Sequence, residues 1–218
     1  MQTVNIDIVS DIACPWCAIG YARLEQAMQQ LQSEMNFRVR WHAFELNPAP
    51  GKDGVPILEA LSQKYGRSID EMRAAQANMM DIAAGLGLNF ERMQERLTRN
   101  TFDAHRLVKW ADEYGRQTEM KMALFDAYFG HAANVADPEV LARCAETVGL
   151  DGDKARQVLA SNEYADDVRE DEARAQEAGV SAVPAFIVNE EYLISGAQES
   201  AYLAQALRQI AGEPSEET

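Results

Sequence analysis

The segment Ser10-Asp11-Ile12-Ala13-Cys14-Pro15-Trp16-Cys17 is the strongest indication of the fold in this sequence. It falls where a strand pattern of period two, Val4–Ile8, gives way to a helical pattern that begins at Pro15. Cys14 is therefore predicted at a helix N-terminus, where free N–H groups and the helix dipole favour a thiolate. Cys17 lies on the same side of the first turn, within disulfide reach. One thiol can attack a substrate disulfide while the other resolves the mixed disulfide.

Two cysteines at this spacing can also be half of a zinc site or simply small buried residues, and a zinc site needs two more ligands. The chain offers no second paired motif, only the isolated residues Cys144, His42, His105 and His131. Cys144 fits an apolar helical stripe with Val140, Leu141 and Val148, which indicates a buried core residue. Redox chemistry is therefore favoured over metal binding, and no metal site is predicted.

Outward from the cysteine pair, the strand and helix patterns give the order βαβ, a helical block, then ββα. The helix from Pro15 runs to about Gln32, and the alternating segment Phe37–Ala43 follows as the second strand. Near the C-terminus the apolar run Ala185–Val188 predicts a central strand with Tyr192–Ile194 as its hairpin partner. A closing helix carries the stripe Leu203, Ala206, Leu207 and Ile210.

The segment between these two halves reads as helical throughout. Ser68-Ile69-Asp70-Glu71 has a capping-box pattern, Asp137-Pro138 is an N-cap with a first-turn proline, and a last helix is expected from Ser161-Asn162 to Gly179. The predicted fold class is α/β, a thioredoxin fold with a large all-helical insertion between its βαβ and ββα halves. We expect a discontinuous thioredoxin-like domain at 1–55 and 180–212, an inserted helical domain at 56–179 and a flexible tail at 213–218.

Charge and composition exclude several classes of function. Twenty Lys+Arg against 35 Asp+Glu give a net charge of −15 over 218 residues, which argues against nucleic acid as a partner. No stretch approaches the roughly 20 apolar residues that a membrane span needs. The first ten residues lack the pattern of a secretory signal, and three cysteines are too few for a secreted disulfide scaffold. The expected localisation is cytoplasmic.

A second feature is Pro184, which directly precedes the predicted strand Ala185–Val188. Val180-Ser181-Ala182-Val183-Pro184 runs directly into Ala185–Val188. On the sequence alone a trans proline at the strand start is favoured. A cis Pro184 would instead present the backbone of Val183 beside the thiols and offer hydrogen bonds to an extended substrate.

Taken together, these motifs resemble the DsbA-like thioredoxin family. The resemblance is closest to its cytoplasmic FrnE-type branch, the dithiol–disulfide isomerases associated with polyketide biosynthesis. It covers about Thr3 to Ala211 and rests on residues 10–17, Phe44-Glu45-Leu46-Asn47-Pro48, Asn100-Thr101-Phe102-Asp103-Ala104-His105-Arg106-Leu107, 180–186 and Ser195-Gly196-Ala197-Gln198.

The resemblance implies a thioredoxin fold whose inserted helical domain caps the active site. Cys14 matches the family's nucleophile and Cys17 its resolving thiol. Pro184 matches the cis proline, with Val183 as the residue whose backbone meets the substrate. The implied function is that of a thiol–disulfide oxidoreductase or isomerase.

Three further residues are expected at the substrate. Pro15 and Trp16 lie between the thiols in sequence, and Trp16 is predicted as an exposed aromatic rim that holds an apolar substrate segment. From the residues alone, His105 reads as a helix-surface or packing residue. The resemblance raises it to a substrate-pocket residue.

An alternative function comes from relatives of the same superfamily. Kappa-class glutathione transferases and 2-hydroxychromene-2-carboxylate isomerases share the segment type that begins at Asn100, but they have serine where this chain has Cys14. The alternative is a glutathione-dependent transferase or isomerase, and a thioredoxin-like binding module with a vestigial pair ranks third. We expect no bound cofactor. Glutathione is expected as a co-substrate instead. The expected partner is a protein or small molecule that contains a disulfide or a thiol, and the chain is expected as a monomer or homodimer.

Overall fold

A computed structural model describes residues 1–49 and 54–212, and in this part the four strands form one sheet. The predicted tail at 213–218 lies outside the described residues. The strands are β1 (Thr3–Ser10), β2 (Asn36–Ala43), β3 (Ala185–Val188) and β4 (Tyr192–Ser195). The sequence predicted each of them, to within one or two residues at each end.

The sheet has the order β2-β1-β3-β4, so the N-terminal strand lies inside it. β1 pairs parallel to β2 and antiparallel to β3, and Ile6 lies opposite both Val39 and Val188. β3 and β4 form the predicted antiparallel hairpin. The C-terminal half therefore returns to the sheet beside β1, and the predicted thioredoxin fold class is confirmed.

Two helices pack together beside this sheet. α1 (Pro15–Leu31) connects β1 to β2, and α9 (Ser200–Gly212) closes the chain. Their buried stripes belong to one hydrophobic core, with Leu24, Ala27 and Leu31 from α1 and Leu203, Leu207 and Ile210 from α9. The Arg23 guanidinium donates to the carbonyl oxygen of Ala197 at 2.7 Å and ties α1 to the segment that leads into α9.

The described residues between 56 and 179 form helices joined by turns and short irregular segments, with an isolated β-bridge between Pro56 and Leu97. Their helices are α2 (Ile57–Tyr65), α3 (Ile69–Gly85), α4 (Phe102–Asp112), α5 (Gln117–Phe125, continued by a π-helical turn at Asp126–Gly130), α6 (Pro138–Thr147), α7 (Gly152–Ala160) and α8 (Ala165–Glu177). The capping box at Ser68 and the N-cap at Asp137 are both present. Over the described ranges, we find no helix both long and apolar enough to cross a membrane.

The last of these helices begins later than the sequence predicts. α8 starts at Ala165 rather than at Ser161-Asn162. The backbone N–H of Glu163 donates to Ser161 Oγ at 3.0 Å, and Tyr164 adopts a left-handed φ of 61°. The serine hydroxyl and the Tyr164 backbone close a turn here, and this turn competes with helix formation.

The helical layer covers the open edge of β2. The amide of Gln117 accepts from the backbone N–H of Trp41 at 2.8 Å and donates to the Trp41 carbonyl at 3.2 Å, as a neighbouring strand would. Asp171 accepts from the backbone N–H of Ala43 at 2.8 Å. These side chains form hydrogen bonds with backbone groups on the edge of β2, which would otherwise be free to pair with a strand of another chain. They also fix α5 and α8 against the sheet near the end of β1.

Candidate active site

The two thiols lie at the start of α1. Cys14 is the N-cap residue, with an extended backbone (φ −93°, ψ 110°), and Pro15 follows in the first turn. The Cys17 thiol is hydrogen-bonded to Cys14, and both residues are free thiols. Cys14 keeps 5% of its surface exposed, whereas Cys17 has none. The pair is thus formed as the sequence predicts, with Cys14 as its outer member.

The electrostatic surroundings of Cys17 oppose its ionisation. Burial raises the pKa of the Cys17 thiol well above its usual value, and the neighbouring Cys14 raises it further. The positive charge of Lys121 acts in the opposite direction. Cys17 therefore stays protonated until a partner or a change in its surroundings stabilises its thiolate.

The segment before β3 lies against Cys14. The Val183–Pro184 peptide bond is cis, as the family resemblance implies, and the trans proline favoured by the sequence alone is wrong. The Cys14 thiol donates to the carbonyl oxygen of Val183 at 3.5 Å. Gly20 of α1 makes this approach possible, because a Cβ atom there would lie only 2.9 Å from Pro184 Cγ.

A cavity of about 490 Å³ opens at Cys14, between the thioredoxin half and helices α2 and α3. Pro15 and Trp16 line it, and Trp16 is 37% exposed. Val183 contacts the thiol through its carbonyl oxygen, but neither Val183 nor Pro184 is among the described residues that line this cavity. The predicted substrate residues are thus divided between the cavity and the β3 side of Cys14.

Asp11 and His105 form a buried pair below the loop that carries Cys14. Asp11 accepts hydrogen bonds from the backbone N–H groups of Ala13 (3.1 Å) and Leu46 (2.7 Å) and from the hydroxyl of Thr101 (2.8 Å). Burial opposes ionisation of Asp11, yet the His105 contact and these N–H donors bring its pKa below the ordinary value. Asp11 therefore holds the loop in place as a carboxylate.

His105 is 2% exposed, so of the two alternatives from the residues alone the packing residue agrees with the structure and the helix-surface residue is wrong. Its Nε2 lies 3.5 Å from Asp11 Oδ1. Burial, aided by the charge of Lys121, lowers its pKa to about 4 and keeps the ring neutral. His105 does not line the cavity at Cys14 but lies behind Asp11. Its position is that of a residue that orients the loop.

Lys121 is a functional candidate that the sequence reasoning missed. Its side chain is fully buried, and its Nζ donates to the carbonyl oxygen of Ser10 at 3.3 Å. The ammonium also lies over the rings of Trp41 and Phe125, at 5.3 and 5.5 Å from their centroids. Burial lowers its pKa to about 8, although the nearby Cys17 and Asp11 oppose this shift. A buried cation thus lies close enough to the thiol pair to interact with the charge of both cysteines.

Glu45 is a second missed group with a shifted titration. It is half-buried and accepts from the amide of Asn100 at 2.8 Å. Burial, followed by the negative charges of Glu172 and Asp11, raises its pKa to about 7. The segment that contains it was part of the family resemblance, but nothing in the residues pointed to a raised pKa of Glu45.

Cys144 has no contact with this site in the part of the chain that the structure describes. It is buried in α6, where its thiol lies 4.0 Å from the carbonyl oxygen of Ala123. Burial raises the pKa of this thiol to about 11. The prediction of a core residue is confirmed. The described ranges hold no cluster of three or more His, Cys, Asp and Glu placed to bind a metal ion.

Comparison with known proteins places this site in a family. Residues 5–208 match the model of the DSBA-like thioredoxin domain. The chain belongs to this family. DsbA-like proteins are thiol–disulfide oxidoreductases and isomerases, which agrees with a buried cysteine pair at a helix start.

The chain is similar to known proteins in sequence and in structure. The chain is 30% identical over 203 residues to the Bacillus subtilis protein YwbO, which is named as uncharacterized, and the match covers 92% of this chain and 94% of that protein. The crystal structure of a probable DsbA oxidoreductase from Streptomyces coelicolor is 37% identical with a TM-score of 0.91, over 99% of this chain and 93% of that one. A 2-hydroxychromene-2-carboxylate isomerase shares the fold, with 16% identity, a TM-score of 0.72 and coverage of 95% and 96%.

Proposed function

We propose that this DsbA-like protein is a dithiol–disulfide oxidoreductase in which Cys14 is the nucleophile and Cys17 the resolving thiol. The observation that supports this most is the asymmetry of the pair. Cys14 faces a cavity, whereas Cys17 is fully buried and hydrogen-bonded to Cys14. A substrate sulfur can therefore reach Cys14 directly, and Cys17 can reach only Cys14.

The proposed reaction has two exchange steps. The Cys14 thiolate attacks one sulfur of the substrate disulfide, forms a mixed disulfide and releases the other substrate sulfur as a thiolate, which takes up a proton. Cys17 then loses its proton and attacks Cys14 Sγ, so that the Cys14–Cys17 disulfide forms and the second substrate thiol leaves. The substrate gains two electrons and the pair loses two. The reverse sequence oxidises a dithiol substrate.

Two groups would support these steps. The positive charge of Lys121 favours the Cys17 thiolate needed for the second step. The Val183 carbonyl accepts from Cys14 in the reduced protein. It also lies where an extended substrate segment beside the mixed disulfide would donate a backbone hydrogen bond.

Trapping tests the assignment of the two cysteines. A Cys17→Ser variant should accumulate a mixed disulfide at Cys14 when it is mixed with a substrate disulfide, since the resolving thiol is absent. A Cys14→Ser variant should form none, and Cys144→Ser should behave as the wild type. Peptide mass spectrometry locates the adduct. An adduct on Cys17 in the Cys14→Ser variant, formed at the wild-type rate, would reverse the assignment.

The second candidate function is a glutathione-dependent transferase or isomerase. It is supported by the small-molecule size of the cavity at Cys14 and by the fold shared with the 2-hydroxychromene-2-carboxylate isomerase. This function predicts saturable glutathione binding and an activity that survives Cys17→Ser. Loss of activity in Cys17→Ser separates the dithiol mechanism from it.

The reaction would take place in the cytoplasm, with glutathione as a co-substrate. A dithiol that cycles between its two states suits the reducing cytoplasm, where the FrnE-type branch is placed. Glutathione would serve there as a co-substrate that returns the pair to its starting state. The partner would be a protein or small molecule with a disulfide or a thiol.

A further inference from the structure

Two buried polar side chains without full partners line the cavity at Cys14. Arg96 is 2% exposed and Gln76 is 1% exposed, and both belong to the wall of this cavity. Within the part of the chain that the structure describes, Arg96 Nε and Gln76 Oε1 have no hydrogen-bond partner. A buried polar atom without a partner destabilises the fold, so such an atom in a cavity wall points to a ligand that supplies the partner.

Arg96 also has no carboxylate partner among the described residues. Its guanidinium donates to the carbonyl oxygen of Met93, interacts with the Tyr128 hydroxyl and lies over the Tyr128 and Phe129 rings at 5.4 and 5.0 Å. These contacts position the cation without neutralising it. A buried charge of this kind is costly unless a counter-charge joins it.

The second buried arginine of the chain shows the contrast. Arg106 donates to the Asp103 carboxylate at 2.8 Å and to the carbonyl oxygens of Glu163 (2.9 Å) and Ser161 (2.8 Å). Its charge and its donors are satisfied within the fold. Arg106 is therefore structural, whereas Arg96 still lacks an anion.

The rest of the cavity wall defines the remainder of the ligand. Lys64 and Arg67 add two cations, and no aspartate or glutamate among the residues that the structure describes lines the cavity, although the chain as a whole carries a net charge of −15. Most of the other lining side chains are apolar, among them Leu46, Ile57, Leu61, Met72, Met79 and Met93. An apolar wall with cations and flexible methionines suits a ligand that is largely apolar and carries an acid group.

We propose that the substrate at this cavity is a small, largely apolar thiol or disulfide that bears a carboxylate, and that the carboxylate pairs with Arg96. Gln76 accepts a hydrogen bond from an N–H or O–H group of the same ligand. This inference rests on the proposed function, because the ligand's sulfur must meet Cys14. Arg96 is then a specificity residue, which selects anionic substrates.

The competing role for Arg96 is to stabilise the thiolate of Cys14, since the two side chains interact electrostatically. The two roles differ in what they do to an uncharged substrate. A thiolate-stabilising arginine speeds exchange with every disulfide, whereas a carboxylate-binding arginine speeds exchange with anionic disulfides alone.

The test compares two aromatic disulfides with the reduced full-length protein. Dithiobis-nitrobenzoate carries a carboxylate on each ring, and dithiodipyridine is uncharged. For each probe, the second-order rate constant of its reaction with Cys14 is measured in the wild type, Arg96→Met, Arg96→Lys and Arg92→Gln. Arg92 is an exposed matched control, paired to Glu95 outside the cavity wall.

The expected result is a loss in Arg96→Met that is at least about tenfold larger for dithiobis-nitrobenzoate than for dithiodipyridine, the size expected for one charge-assisted pair. Arg96→Lys should retain part of the preference, and Arg92→Gln all of it. An equal loss with both probes would overturn the proposal and assign Arg96 to the thiolate. A lack of reaction at Cys14 with either probe would overturn the proposed function itself, and this inference with it.

A measurement on the wild type keeps the proposal testable if Arg96→Met does not fold. Naphthalene carboxylate and naphthalene carboxamide have almost the same shape and differ in charge. The carboxylate should slow the reaction of Cys14 with dithiodipyridine in a saturable way, and the carboxamide should need at least about ten times the concentration. Equal inhibition by the two compounds would contradict the assignment of a carboxylate site.

Discussion

The ammonium nitrogen of Lys121 lies 3.3 Å from the carbonyl oxygen of Ser10, where α5 of the helical layer meets the last residue of β1. Ser10 leads directly into the loop that ends at Cys14. Lys121, which belongs to the inserted helical segment, thus brings a positive charge close to Cys14 and Cys17 of the thioredoxin half. The two halves of the chain meet in one site, and this contact suggests the first prediction.

Replacement of Lys121 by methionine should slow the resolving step. The buried lysine lowers the pKa of Cys17, so its loss should raise that pKa further and reduce the thiolate available at neutral pH. A change of one pKa unit corresponds to about tenfold, which is the slowing we expect for collapse of a mixed disulfide preformed at Cys14. Rapid-quench alkylation measures this rate. Lys154→Met is the control, since Lys154 lies in the first turn of α7 and outside the wall of the cavity at Cys14. An unchanged rate in Lys121→Met would contradict the role of the charge.

A second prediction concerns the contact between α1 and the Val183–Pro184 segment. Gly20→Ala should destabilise the protein by about 1–3 kcal/mol, because the new Cβ would lie 2.9 Å from Pro184 Cγ and 3.2 Å from Phe186 Cζ. Exchange at Cys14 should slow as well, since Pro184 and Val183 must move away. Urea unfolding and the rate of thiol exchange measure the two effects.

Gly85→Ala provides the matched control for this substitution. Gly85 is also helical, at the end of α3, but a Cβ there meets nothing within 4 Å. Alanine should stabilise this position by up to about 0.5–1 kcal/mol, because it reduces the freedom of the unfolded chain. Equal changes in the free energy of unfolding for Gly20→Ala and Gly85→Ala would contradict the prediction, because they would show that Pro184 leaves room for a Cβ atom at residue 20.

A third prediction is a pH dependence of stability that originates at His42. Its ring contacts two carboxylates, with Nε2 2.8 Å from Asp7 Oδ1 and Nδ1 3.0 Å from Asp171 Oδ1. Burial opposes protonation, but the hydrogen bonds to Asp171 and Asp7 outweigh it and raise the pKa of His42 above 6.5. A raised pKa means that the folded state binds the proton more tightly than the unfolded state does. The stabilisation is therefore complete below pH about 6.5 and is lost as the pH rises through the folded-state pKa.

The measurement is the free energy of unfolding at a series of pH values from 6 upward. The difference between the wild type and His42→Gln should shrink as the pH rises. His131→Gln is the control, since His131 is 62% exposed and pairs only with Asp126 among the described residues. A difference between wild type and His42→Gln that stays constant with pH would contradict a protonated His42 in this network.

The fold was predictable from the sequence because its signals are local. The alternation in β1 and β2, the apolar run of β3 and the turn before Tyr192 each specify an element without reference to the rest of the chain. The subdivision of the helical segment was harder. The start of α8 depends on a turn at Ser161 that competes with the helix, and the pattern of apolar residues does not show it.

The site was predictable only where its chemistry has a sequence motif. The cysteine pair has a fixed spacing, and Pro184 was recognised through the resemblance of its surroundings. Lys121 had a readable signal, because it lies on the buried stripe of α5 with Gln117, Met120, Leu124 and Phe125. Arg96 and Gln76 had none, since their meeting at the cavity depends on how α3 and the segment after it pack.

The most direct test of the central claim is a redox titration of the wild-type protein in glutathione buffers, with free thiols alkylated and Cys14 and Cys17 read by mass spectrometry. A working dithiol couple predicts one cooperative two-electron transition in which both cysteines are protected together while Cys144 stays free. Accumulation of a glutathione adduct on Cys14 with Cys17 still free would contradict the dithiol mechanism and favour the glutathione-dependent function.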